Sequence, residues 1–244
     1  MYLTQEFRRT LAALRGRRAF LHVDLRGAIT VGVGHVVPDA LAAQALPFLS
    51  AATGERATAE EIAAAWGRLD ALRRDGQVGR EFLPEFYREV GGLSLTEEAV
   101  DELLTADIAA AEARLGALLP RFPRCPLPAQ EVLVELALGR GAEALAEERH
   151  GPLLAAYAAG DYGAAAALLA AEAGPRPGKL DEERAAWRAA RMERAARDRA
   201  IELSVEQKLE SLLQSLGTMT ETAKGELKKM EDQVGELAAG LLGK

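Results

Sequence analysis

The sequence predicts an α+β protein, predominantly α, with one β-hairpin near the N-terminus and an amphipathic helical tail at the C-terminus. Three observations carry this. Alanine and leucine dominate a chain of 244 residues that is 49% hydrophobic, and β-branched runs are scarce, which favours helix. Residues 20–34 alternate apolar and polar with a period of two, as a strand does. Basic usage also inverts along the chain. Residues 1–178 contain no lysine, whereas Ala200–Lys244 holds five lysines and no arginine. That switch predicts a body over residues 1–200 and a separate tail over 201–244.

The elements follow in order. In residues 20–34, Leu21, Val23, Ile29, Val31 and Val33 form one apolar face. A three-residue loop, Leu25-Arg26-Gly27, sets Asp24 opposite Ala28 and His22 opposite Thr30. Such a loop wants a left-handed residue at its end, and Gly27 is there. The other face gathers His22, Asp24 and Thr30, with Gly32 and Gly34 leaving room for a ligand or a backbone. That face is either a polar site or a solvated hairpin surface.

Helices account for the rest of the body. "TAEE" at Thr58–Glu61 fits a capping box, and "SLTE" at Ser94–Glu97 opens a helix that stops at Pro120. "PAQEVLVELALGRG" reads as a buried helix ending at glycines. "GPLLAAYAAGDYGAAAALLAAEAG" reads as two short helices, the second capped by Asp161. "GPRPG" (174–178) is a loop, and a charged helix with Trp187 as its anchor follows. Trp66 is expected in the core.

Composition excludes several classes. A net charge of −7 argues against general nucleic-acid binding. The single cysteine, Cys125, forms no intramolecular disulfide and reads as a structural thiol. No His/Cys/Asp/Glu spacing resembles a metal site, and no cofactor is expected. No signal peptide and no apolar window long enough to cross a bilayer stand out. The protein is therefore expected to be made in a cytoplasm, with any external role depending on something else to carry it there.

With these residues in view, "DLRGAITVGVGH" resembles the D-x-x-G-x-x-T-x-G-x-G-H signature of phage-type lysozymes (muramidases, endolysins). Asp24, Gly27, Thr30, Gly32, Gly34 and His35 fall in register. The likeness extends more weakly over about residues 1–195, through "LSLTEEAVDELLTADIAAAEARL", "VLVELALGRG" and "ERAAWR". It implies a lysozyme-like fold: a small β-hairpin lobe, a helical lobe, and a glycan-binding cleft between them. It also implies a general-acid glutamate ending the first helix, nine residues before the aspartate, with the hairpin Asp and Thr organising the attacking water. Carried over, Asp24 and Thr30 are the hairpin partners and Gly16 follows the glutamate position. That position is Arg15.

Arginine cannot donate the proton that glycoside hydrolysis needs. The nearest upstream carboxylate, Glu6, lies on the opposite helix face. A second departure agrees: the family asparagines fall at Glu135 and Gly139. The expectation is a lysozyme-like pseudoenzyme in which Asp24 and Thr30 are vestigial. Arg15, His22, Asp24, Thr30 and Gly32 are its candidate ligand-binding residues, and the ligand implied is peptidoglycan. Residues 1–36 hold six arginines against Glu6 and Asp24, and guanidinium forks suit the carboxylates of stem peptides. Arg15 has two other readings: a pair with Asp24 that locks the cleft, or a surface arginine of no consequence. His35 reads as a structural hydrogen-bonding residue. An active muramidase with a non-standard acid and a purely structural cap or cargo protein are the alternative functions.

In the tail, apolar positions run 205, 209, 212, 216, 219, 223, 227, 230, 234, 237, 241. This is a heptad stripe with one extra four-residue step. From residue 204 onward seven acidic residues outnumber five lysines, which disfavours a membrane surface. Three readings follow for the tail: self-association, docking on a protein partner such as a phage tail or injection particle, or a flexible amphipathic segment.

Overall fold

In the computed structural model, which describes residues 4–76, 84–147, 150–171 and 179–242, the chain forms two units, Met1–Ala195 and Ala196–Lys244. The first is predominantly α-helical with two small sheets, the α+β class expected.

Helix α1 (Gln5–Arg15) starts where the Thr4 hydroxyl accepts from the Phe7 amide, and it stops at Gly16, whose φ is +80°. A three-stranded antiparallel sheet follows, in the order β1 (Arg18–Val23), β2 (Ile29–Gly32), β3 (His35–Val36). His22 faces Thr30, Val23 faces Ile29, and the Asp24 amide donates to the Ala28 carbonyl, which is the register expected. Gly27 closes the loop at φ +79°. The third strand was not legible in the alternation, because two residues make too short a run to show a period.

Helix α2 (Ala40–Gln44) is capped by Asp39. Strand β4 (Leu49–Ser50) later pairs with β5 (Leu93–Ser94). Helix α3 (Ala59–Arg74) begins in the Thr58–Glu61 capping box, with both reciprocal bonds formed. Trp66 is half-buried rather than core, and its indole donates to the Val37 carbonyl. Helix α4 (Pro84–Gly91) packs on β1. Helix α5 (Glu97–Leu118) is capped by Thr96, not by Ser94 as "SLTE" suggested. Ser94 is used in the second sheet instead.

Helices α6 (Leu127–Arg140), α7 (Ala142–Leu145), α8 (Gly151–Ala159) and α9 (Tyr162–Ala171) complete the body. Asp161 caps α9 through the Ala164 amide, as read from the sequence. The loop read at 174–178 lies outside the described residues. Helix α10 (Lys179–Leu242) gives its first turns to the body, where Trp187 stacks on Phe7 at 6.0 Å. Cys125 is buried, and burial raises its thiol pKa above the ordinary value, which fits an inert structural residue.

One device recurs. The last carbonyls of a helix have no partner within it, and here arginines from elsewhere in the chain supply one. Arg184 donates to Leu14 at the end of α1. Arg68 donates to Val90 and Gly91 at the end of α4. Arg121 donates to Ala158 at the end of α8. Arg15 and Arg26 serve α6 together, through Leu138 and Gly139. A positive group at a helix C-terminus also opposes the negative end of the macrodipole. A guanidinium presents several donors in a plane where an ammonium is a point donor. This is one use the body makes of its arginines.

Candidate functional site

The site is built where the end of α1, the hairpin and the end of α6 meet. Arg15 is the last residue of α1 and is half-buried. Its Nε donates to the Val33 carbonyl at 3.2 Å and its terminal nitrogen to the Leu138 carbonyl at 2.8 Å. Burial pushes its pKa below the ordinary arginine value. Glu135 opposes that shift, and Arg184, Arg26 and Arg188 add to it. The group so placed is a fixed cation joining hairpin to helix.

Two glycines make this possible. A Cβ on Gly34 would lie 2.8 Å from an Arg15 terminal nitrogen, and one on Gly139 would lie 3.0 Å from the other. The room beside Gly34 is therefore taken by the protein's own guanidinium. The room beside Gly32 is taken by α5, where a Cβ would meet Leu103 at 3.5 Å and Val100 at 3.8 Å. The open space read from these glycines in the sequence is filled by packing.

Asp24 does not pair with Arg15 in the way one sequence reading held. Its Oδ1 accepts from the amides of Arg26 and Ala28, each at 2.8 Å, and so fastens its own loop. The loop geometry explains this, because an aspartate opening a three-residue turn finds those amides within reach. Arg26, at the tip, then reaches the Gly139 carbonyl.

The His22–Thr30 face is buried, neither open nor solvated. His22 is 7% exposed and Thr30 is 2% exposed. The Phe20 carbonyl lies 3.4 Å from His22 Nδ1, and a carbonyl can only accept, so Nδ1 carries the proton. Nε2 then accepts from the Thr30 hydroxyl at 3.1 Å. Burial, helped by the charge of Arg18, pulls the His22 pKa down to about 4. The imidazole is neutral at physiological pH.

Other charges hold the frame. Glu135 is 1% exposed, and its Oε2 accepts from Arg188 Nε at 2.8 Å. Arg191 lies 3.2 Å from Glu131 and 3.6 Å from Glu6. Glu6 thus faces α10, away from the site, as its helical phase predicted. His35 Nδ1 meets Asp107 Oδ1 at 2.8 Å and ties the sheet to α5. Arg17 forks onto Glu97 and Asp101 at 2.7 and 2.6 Å.

The structure thus brings Arg15 against Val33 and Leu138, and His22 against Thr30, but does not join the two groups through Asp24. Sequence reasoning missed Arg26, Arg184 and Arg188. Their spacing carries no period that marks them, and only the tertiary approach of α10 and the loop tip does. Among the described residues no group of three His, Cys, Asp or Glu side chains could hold a metal ion. No helix among them is long and apolar enough to cross a membrane.

No family model matches the chain, and no curated protein matches it. Among solved structures it is similar to the crystal structure of a P22 lysozyme mutant. The identity is 21%, covering 78% of this chain and 97% of that chain, with a TM-score of 0.46.

Proposed function

We propose that the body, residues 1–200, is a lysozyme-like module without muramidase activity, and that the tail, residues 201–244, is an association element. One observation carries the first half. Each residue at the position of the lysozyme machinery is already engaged. Arg15 holds the Val33 and Leu138 carbonyls, Asp24 Oδ1 holds two loop amides, and the Thr30 hydroxyl donates to a buried imidazole. Glycoside hydrolysis needs a protonated carboxyl at the leaving oxygen and a positioned water. Arg15 supplies no proton, and Thr30 points its only proton at His22. Gly139, where the family pattern has asparagine, leaves the gap that the Arg15 guanidinium occupies. The two departures are thus sterically linked, and one accommodates the other.

A second reading gives the same residues a ligand. Arg15 feels Arg26, Arg184 and Arg188 against one carboxylate, Glu135, an excess of positive charge suited to the carboxylates of peptidoglycan stem peptides. In it, the half-buried Arg15 and Asp24 would face the glycan, while His22, Thr30 and Gly32, buried behind them, would back that wall without touching it. Delivery on a phage tail or injection particle is a context for this reading through the tail.

Purified sacculi test both. Incubated with the protein, they are expected to release no reducing ends above background. Release that is abolished by Asp24→Asn would overturn the non-hydrolytic reading. Co-sedimentation with sacculi that weakens in salt supports the ligand reading, and its absence leaves the body a scaffold.

A further inference from the structure

The second unit, Ala196–Lys244, turns apolar side chains to solvent. Val205, Leu209, Leu212, Leu216 and Met230 are each 57–63% exposed. All five belong to the heptad stripe, and the stripe has a symmetry. Counted outward from position 223, its steps are 4,3,4,3,4 toward the N-terminus and 4,3,4,3,4 toward the C-terminus.

We propose that this unit pairs with a second copy of the chain as an antiparallel two-stranded coiled coil whose two-fold axis passes at Ala223. The proposal rests on reading the tail as an association element and names its partner and geometry. In this pairing position 216 lies opposite 230 of the second copy. Positions 205, 209, 212 and 219 lie opposite 241, 237, 234 and 227. Every apolar layer of one helix meets an apolar layer of the other, in the alternation that knobs-into-holes packing requires. The extra four-residue step, which breaks the heptad phase, sits on the axis and meets itself. Paired, the stripe spans 37 residues, or about five heptads. Alone, a helix carrying Gly217, Gly225, Gly235 and Gly240 gains little from propensity, so burial of the stripe is what stabilises it.

A parallel in-register pair would also align the layers, and charge separates the two. In a parallel pair Glu226, before core position 227, meets Glu231, after core position 230, on both sides of the seam. In the antiparallel pair no like charges flank the seam. Segment 211–220 carries no charged residue. It lies against 226–235 of the second copy, which holds Glu226, Lys228, Lys229, Glu231 and Asp232. The antiparallel arrangement also opposes the two helix dipoles.

The test uses the full chain. Sedimentation equilibrium is expected to give twice the monomer mass. On mild oxidation Ala223→Cys should give a disulfide-linked dimer. An equal mixture of Leu216→Cys and Met230→Cys chains should give the mixed cross-link. Leu216→Cys alone should not link, because the two copies of position 216 are offset by about 21 Å along the axis, against a disulfide limit of about 7 Å between Cα atoms. Gln207→Cys, off the stripe, is the control for collision and should not link. Efficient linking of Leu216→Cys to itself, or the mass of a trimer, overturns the antiparallel pair and leaves the tail an association element. A monomer at all concentrations overturns both.

Discussion

Replacing Arg15 by glutamate will loosen the end of α6 rather than restore a proton donor. The new carboxylate would stand where the guanidinium now donates to the Val33 and Leu138 carbonyls. It would offer acceptors to acceptors, beside the buried Glu135. Hydrogen bonds from a charged donor contribute about 1.5–3 kcal/mol each, and a buried group left unpaired adds to the loss. Some solvent reaches the half-buried site, so the expected cost is about 3 kcal/mol. Arg15→Met, which keeps the stem and removes the donors, should cost less, because it adds no repulsion. Urea unfolding of the two variants beside the wild type checks the order. An Arg15→Glu protein as stable as the wild type and able to release reducing ends from peptidoglycan would show that the cleft needs only its acid back.

Acid will destabilise the body through His22. The pKa of this imidazole is held at about 4, from an ordinary 6.5, by burial first and then by Arg18. Between those values the unfolded chain binds a proton that the native chain refuses, so stability falls as pH falls. The contribution is fully present above about pH 6.5 and is lost as pH approaches 4. Its size is about 3 kcal/mol at about 1.4 kcal/mol per unit. His22→Gln removes the titrating group, so its urea midpoint should change less than the wild type's between pH 7 and 4.5. Thr30→Val removes the hydroxyl that Nε2 accepts from and should lower stability at pH 7 by about 1–3 kcal/mol. Equal acid sensitivity in the wild type and His22→Gln would place the titration elsewhere.

Next to its turn the hairpin register was legible, because period-two alternation and a glycine-ended loop set His22 against Thr30 and Val23 against Ile29; farther out the pairing slips, and Arg18 meets Gly32. The capping residues Thr58 and Asp161 were legible because their bonds run three residues along the chain. The burial of His22 and Thr30 was not, since a polar pair on the second face reads as solvent-facing until α4 and α5 are known to cover the sheet. The glycines misled for the same reason. A missing side chain signals close approach, but Gly32 and Gly34 do not say what approaches, and here it is Leu103 and Arg15. Arg15 itself was legible as a replacement for an acid. Its partner was not, because Leu138 lies 123 residues away.

The arginine caps have a kinetic consequence. Arg184 reaches Leu14 across 170 residues, Arg15 reaches Leu138 across 123, and Arg26 reaches Gly139 across 113. None of these bonds can form until the chain has closed the corresponding loop, so they belong to the late, non-local part of folding. The expectation is that helices α1 and α6 pass through the transition state with their final carbonyls still open to water. Interactions absent from that state change the unfolding rate and leave the folding rate nearly alone. Substituting Arg15 or Arg184 should accordingly steepen escape from the native state while the chain reaches it as fast as before. If so, these three arginines act as latches that close last, and substituting them should shorten the life of the fold more than it slows the search for it.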